Sequence, residues 1–240
     1  MMSAVTTPNY GTAPTSLQEM VEGTAYVAYT YSYPHKTAYR PFPERLRLRD
    51  LWRDEDRAAL FLYLHVPFCE MRCGFCNLFT FAKPQDDYAQ RYLRALRRQA
   101  EVVAGELGEA RWARLAVGGG TPTQLDEAGL EELFAIVTDV MGCDVERAPS
   151  SVEMSPETVT AQKLAILRAF HVDRASIGVQ SFVREETRAV RRPQEPAVAH
   201  AAIEKMRAAF PDAVIVAKGN VGQPVLVGMA AAYETTPETM

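Results

Sequence analysis

From Leu60 onward the apolar residues alternate between two spacings. Leu60-Phe61-Leu62-Tyr63-Leu64-His65-Val66 is a near-continuous apolar run of strand length, the pattern of a parallel strand buried on both faces. Tyr88, Tyr92, Leu96, Ala100, Val103 and Leu107 then recur at helical spacing, with Gly108 as a stop signal. Trp112 to Val117 predicts a second strand, ending in three glycines. Asp126 caps a helix whose inner stripe is Leu130, Leu133, Phe134, Val137, Val140 and Met141. Ser150 to Met154 reads as a third strand. Ser155 and Pro156 supply an N-cap and first position for a helix with Leu164, Leu167 and Phe170 inside. Ala175 to Val179 predicts a fourth strand, a helix carries Ile203 and Met206, and Ala213 to Ala217 predicts a fifth strand. Strand–helix alternation implies an α/β fold with a parallel sheet and right-handed crossovers.

Residues 1–58 show no such period. Met1 to Ser16 reads as disordered, and the aromatic-rich Tyr26 to Pro43 as an extended arm packed on the main domain. The expected organisation is an N-terminal extension over 1–58, partly disordered; a core of about four to five βα units over 59–210; and an atypical tail over 211–240. The charged side chains sum to −4. That balance argues against a nucleic-acid partner and for an enzyme acting on a small molecule. Met1 to Gln18 has no apolar segment behind a basic start, and no run reaches the roughly 18–20 apolar residues that span a bilayer, so no membrane association is expected. Four cysteines, three of them bunched, do not make a disulfide framework and fit a reducing cytoplasm.

The bunched cysteines carry the chemistry. Cys69, Cys73 and Cys76 form a C-x3-C-x2-C triplet just after the first strand. Three thiolates on one short loop can hold three irons of a cubane iron–sulfur cluster and leave the fourth iron open to a small molecule. The alternative is a zinc site completed by the distant Cys143, although no second C-x2-C or H-x3–5-H pair exists to close it. Cys143 otherwise reads as a buried, idle thiol, and His65 as a hydrogen-bonded core histidine. Gly118-Gly119-Gly120 lets the backbone approach a ligand and turn its N–H groups toward a carboxylate. Glu153 ends the third strand among apolar neighbours, where a charge either binds something or faces the next helix N-terminus. The cysteine loop, the glycines, Glu153 and Gln180 all fall at carboxyl ends of predicted strands, where parallel sheets gather ligands.

Tyr63 to Cys76 resembles the radical S-adenosylmethionine (SAM) superfamily, and within it the branch of oxygen-independent coproporphyrinogen III oxidase and the heme chaperone. Four further stretches follow in the family's order: Gly118-Gly119-Gly120-Thr121-Pro122-Thr123, Ser151 to Glu157, Asp173 to Phe182, and Arg192-Pro193-Gln194. Tyr31-Ser32-Tyr33-Pro34 is similar to the oxidase's N-terminal segment. The resemblance implies an incomplete radical-SAM (βα)6-type partial barrel behind a mostly irregular N-terminal extension. It implies a [4Fe-4S] cluster on Cys69, Cys73 and Cys76, with SAM chelating the open iron. One electron then cleaves SAM to a 5′-deoxyadenosyl radical that abstracts hydrogen from a substrate. Tyr63, Phe75, Gly119, Gly120, Thr121, Glu153, Gln180 and Arg192 match its SAM-site positions. Phe75 can instead shield the cluster, Tyr63 can be a core-strand tyrosine, and Gln180 and Arg192 can be ordinary surface or salt-bridging residues. Implied partners are a small-molecule substrate, with tetrapyrroles among the candidates, and an electron donor such as flavodoxin or ferredoxin.

Two departures limit what is carried over. The oxidase has another cysteine two residues after the third ligand, where this chain has Leu78. That shifts the expectation toward the chaperone-like members, so a heme carrier without oxidase activity is the alternative. Beyond about Ala197 the family's remaining motifs are absent. Phe210 to Pro224 and the closing Tyr233 to Met240 resemble instead an internal piece of the homocysteine S-methyltransferase domain, without its zinc cysteines. A catalytically incomplete partial barrel, with an exposed edge and a poorly packed tail, is the resulting expectation.

Overall fold

The computed structural model describes residues 40–74, 76, 78–84, 87–192 and 194–218. Two compact units divide the chain, Met1–Leu46 and Arg47–Met240. In the first, residues 40–46 are described and all are exposed. The N-terminal arm expected over Tyr26 to Pro43 falls largely outside the described residues, as does the tail beyond Lys218.

The second unit opens with a one-turn helix α1 (Leu48–Leu51) and builds a five-stranded parallel sheet. Its strands are β1 (Leu60–Val66), β4 (Trp112–Gly119), β5 (Ser150–Met154), β6 (Arg174–Gly178) and β7 (Val214–Lys218), in that spatial order. A short parallel ribbon, β2 (Phe68–Cys69) with β3 (Phe81–Ala82), lies between β1 and the first crossover helix. The crossovers carry α2 (Tyr88–Leu107), α3 (Glu127–Ala135), α4 (Ala161–Ala169), α5 (Arg184–Ala189) and α6 (Pro196–Ala209). Sequential strands are spatial neighbours throughout, so the sheet winds in one direction as a partial barrel does and every strand exits at the same edge.

Local chemistry sets the helix ends. Asp126 Oδ1 accepts from Gly129 N at 2.8 Å and starts α3. Gly108, at φ 67°, stops α2 with its N–H on the Ala104 carbonyl. The helix expected to begin at Ser155-Pro156 starts later. Pro156–Thr158 forms a tight 3-10 turn, and Thr160 caps α4 through Lys163 N at 3.2 Å. Thr158 Oγ1 donates to the Ser155 carbonyl at 2.9 Å, which completes the turn before the helix can form. The α3 stripe runs on through a wider π-helical turn, Ile136–Val140, which places the Met141 carbonyl 2.6 Å from Trp112 Nε1.

The two faces of the sheet differ. Leu62, Leu64, Val66, Leu115, Val117, Val152, Ala175 and Ile177 are buried in one core with Leu130, Leu133, Phe134, Leu164, Leu167, Ile203 and Met206 of the crossover helices. On the other face Phe61 is 60% exposed and Tyr63 49%. The expected burial of β1 on both faces therefore gives way to strict alternation. The register places Phe61, Tyr63 and His65 beside Arg114, Ala116 and Gly118, and Ser151 and Glu153 beside Arg174 and Ser176. That face of aromatic, charged and small residues lies opposite the one packed by the crossover helices, as the inner wall of a half-barrel does.

Two substitutions measure this packing. Phe134 is fully buried and stacks on Phe170 at 4.6 Å. Phe134→Ala is expected to cost about 3–5 kcal/mol by urea midpoint. Gly105 sits inside α2 with open space where a Cβ would be, so Gly105→Ala is expected to add about 0.5–1 kcal/mol.

Candidate functional site

At the carboxyl edge of the sheet β1 and β4 exit side by side, and their backbones touch. A Cβ on Gly120 would sit 2.6 Å from the Phe68 carbonyl oxygen and 2.8 Å from Pro67 C. One on Gly119, at φ 106°, would strike the His65 ring at 2.5 Å, and one on Gly118 would meet Glu153 Oε2 at 2.9 Å. Gly119, by its positive φ, and Gly120, by its backbone contact, are thus required by the local fold, while at Gly118 the neighbour is the mobile end of Glu153. The N–H groups of Gly119 and Gly120 are committed within the chain, where the sequence led us to expect them to turn toward a ligand. Gly120 N donates to Val66 O and Thr121 N to Phe68 O, each at 2.7 Å. Gly119 N donates to Glu153 Oε2 at 3.4 Å, so the carboxylate it meets is the chain's own.

This junction fixes the cysteine loop. The ribbon is closed by Phe81 N to Pro67 O at 2.7 Å and Lys83 N to Cys69 O at 2.9 Å, with the loop between. Gly74 N donates to Val190 O at 2.8 Å and docks the loop on the segment after α5. Cys69, Cys73 and Cys76 are free, half-buried thiols lining one cleft. Thr121 Oγ1 lies 3.8 Å from Cys69 Sγ, Thr80 Oγ1 3.9 Å from Cys76 Sγ, and Arg192 Nη1 3.5 Å from Cys73 Sγ. Burial pushes the Cys69 thiol up; Thr121 and Arg192 pull it the other way, while Cys76 and Cys73 add to the rise.

The cleft brings together most residues expected from the sequence. Gly119, Gly120, Thr121, Glu153, Gln180 and Arg192 line it with the three cysteines. Gln180 is nearly buried at φ 69°, and its Oε1 has no hydrogen-bond partner among the described residues. A buried acceptor left open beside a cleft is costly unless something in the cleft answers it. Arg192 reaches across three elements, donating through Nη2 to Gly178 O at 2.9 Å and Ser155 Oγ at 3.0 Å.

Tyr63 is placed differently from the expectation. It does not line the cleft but stands on the open sheet face, its hydroxyl 3.1 Å from His65 Nδ1. Burial, then the charge of Glu153, raises its pKa. His65 is hydrogen-bonded on both nitrogens, with Nε2 2.7 Å from the Phe79 carbonyl, but it sits on that face rather than in the core. Cys143 is buried and packed in the core. Phe75 lies outside the described residues. Ser155, Ser176 and Thr80, unremarked in the sequence, also line the cleft. Ser176 could have been found from its register opposite Glu153; Thr80 has no sequence signal of its own.

The residues fit an iron–sulfur cluster with a bound small molecule. Among the described residues no three His, Cys, Asp or Glu side chains gather around a single ion. A cubane asks something else, one thiolate for each of three separate irons. Three half-buried thiols with hydrogen-bond donors beside them, next to the open acceptor of Gln180, meet that demand.

Comparison with known proteins agrees with this geometry. The radical SAM superfamily profile matches residues 63–224. The chain is 35% identical over 151 residues to the oxygen-independent coproporphyrinogen III oxidase of Bradyrhizobium diazoefficiens, covering 62% of this chain and 33% of that one. It is 36% identical over 145 residues to the heme chaperone HemW of Mycobacterium tuberculosis, covering 59% and 36%. The solved coproporphyrinogen III oxidase HemN of Escherichia coli superposes with a TM-score of 0.68 at 30% identity, covering 79% of this chain and 44% of that one. The chain spans about a third of the length of the curated relatives it matches. It belongs to the radical SAM superfamily and is similar, within it, to the oxygen-independent coproporphyrinogen III oxidases and the heme chaperone.

Proposed function

We propose that the chain carries the cluster-binding and SAM-binding half of a radical SAM enzyme of the coproporphyrinogen-oxidase-like branch. The observation that carries this reading is the convergence of Cys69, Cys73 and Cys76 with Glu153, Gln180 and Arg192 on one cleft at the strand ends. When bound, a [4Fe-4S] cluster and SAM supply a 5′-deoxyadenosyl radical for hydrogen abstraction. The chain's own residues hold and orient these groups. Cys69, Cys73 and Cys76 are the cluster ligands. Glu153, held by Gly119 N and placed one strand from Ser176, offers a carboxylate to the polar end of SAM. Gln180 offers its open Oε1 to a donor on the same molecule. Arg192 answers a carboxylate in the cleft while fixed by Ser155 and Gly178.

The substrate lies against the inner wall of the half-barrel, and tetrapyrroles are the class the relatives suggest. An electron donor such as flavodoxin or ferredoxin completes the cycle, in the cytoplasm. Among the described residues no helix is long and apolar enough to cross a membrane. A heme-carrying role is the second reading. It rests on Leu78, which lines the cleft where the oxidase branch has a cysteine.

Anaerobic reconstitution is expected to give a brown protein with about four irons and four sulfides. Cys73→Ala should lose most of that iron; unchanged iron, or stoichiometric zinc without sulfide, overturns the ligand assignment. With SAM and dithionite the reconstituted protein is expected to release 5′-deoxyadenosine. Glu153→Gln should keep its iron while SAM affinity falls roughly 10–100-fold, the worth of one charged hydrogen bond of about 1.5–3 kcal/mol. A Soret shift at micromolar heme without any 5′-deoxyadenosine would favour the carrier instead.

A further inference from the structure

Each of the three thiols has one side-chain hydroxyl or guanidinium beside it, and the three neighbours are unequal. Thr121 and Thr80 offer Cys69 and Cys76 neutral hydroxyls at 3.8 and 3.9 Å. Cys73 alone among them receives a charged donor, Arg192 Nη1, at the shorter 3.5 Å. That contact is built. Nη2 of the same guanidinium is held by two fixed acceptors, the Gly178 carbonyl at the end of β6 and Ser155 Oγ just past β5. A planar fork anchored on one arm has little freedom in where it aims the other. The backbone repeats the connection, since Gly74, next to Cys73, donates to Val190 O, and a Cβ on Gly74 would already press that oxygen at 3.2 Å.

We propose that Arg192 sets the reduction potential of the cluster, by donating a charged hydrogen bond to the Cys73 sulfur, in addition to any contact it makes with SAM. The inference rests on Cys69, Cys73 and Cys76 being the cluster ligands. One-electron reduction adds a negative charge shared between the irons and their sulfurs. A cation that donates to one of those sulfurs favours the reduced form more than the oxidised form. Hydrogen bonds to sulfur are among the features that set cluster potentials. As a hydrogen-bond donor to sulfur Arg192 moves the equilibrium without itself exchanging atoms.

The test is an anaerobic dithionite titration of the reconstituted protein, followed by electron paramagnetic resonance with SAM left out. Wild type, Arg192→Gln, Ser155→Ala and Thr80→Val are compared. At a fixed potential Arg192→Gln is expected to lower the ratio of reduced to oxidised cluster at least tenfold, a shift of about 59 mV for a one-electron couple. Ser155→Ala keeps the guanidinium but frees it to turn, and should move the ratio in the same direction by about threefold. Thr80→Val should move it less than Arg192→Gln. A role confined to SAM predicts that no SAM-free ratio changes, and equal ratios in wild type and Arg192→Gln overturn the proposal. Should Arg192→Gln fail to retain iron, Ser155→Ala decides, and an unchanged ratio there overturns it equally. Failure of wild type itself to form a cluster would instead overturn the ligand assignment, and is read from iron and sulfide content before any titration.

Discussion

The carbonyl oxygen of Phe68 occupies the space where residue 120 would carry a Cβ, and the site is arranged around that contact. Because position 120 is glycine, the exits of β1 and β4 can lie against each other and exchange the hydrogen bonds Gly120 N to Val66 O and Thr121 N to Phe68 O. The first bond sets how far β1 runs before it turns. The second carries Thr121 to the Cys69 sulfur. Gly119 and Gly118 repeat the arrangement against the His65 ring and the Glu153 carboxylate. One patch of missing side chains thus positions the first cysteine, the acidic residue and the histidine together.

Much of this was legible in the sequence, because buried strands and amphipathic helices leave strong periodic signals. The five sheet strands fall within two residues of the spacing-based expectation, and α3 starts at the cap that Asp126 announces. The motifs mark the strand ends, which is why Cys69, Glu153 and Gln180 could be assigned to one edge before any coordinates. The function of the glycines was less legible. Composition shows that a Cβ is missing but not which atom lies nearest the gap, and here these are the Phe68 carbonyl, the His65 ring and the Glu153 carboxylate. Burial of β1 on both faces was misjudged for a related reason. Phe61 and Tyr63 are apolar enough for a core, and only tertiary structure reveals that their side of the sheet is the half-barrel's inner wall. The 3-10 turn at Pro156 is a case of local side-chain bonding, Thr158 to Ser155 O, overriding a sound cap signal.

Arg192 shows how far apart in sequence a site can be coupled. Its partners Cys73, Ser155 and Gly178 come from three separate βα units, brought within reach because consecutive strands all exit at one edge. A side chain that long is well suited to the task. It starts beyond the last turn of α5, crosses the mouth of β6 and ends against the cysteine loop.

The small ribbon of Phe68–Cys69 with Phe81–Ala82 has a consequence for how the cysteine loop is held. It ties both ends of the cysteine loop with backbone hydrogen bonds that need no metal. Small metal-organised domains leave their ligands scattered until the ion arrives, and chelators unfold them. Here the ribbon's backbone bonds bring the two ends of the loop together and so contribute to its closure. The pairing of the loop's ends therefore rests on the backbone and not on the cysteine side chains. The two strands that flank the three thiols are joined to each other, so the ends of the loop stay paired through the backbone whatever its side chains hold.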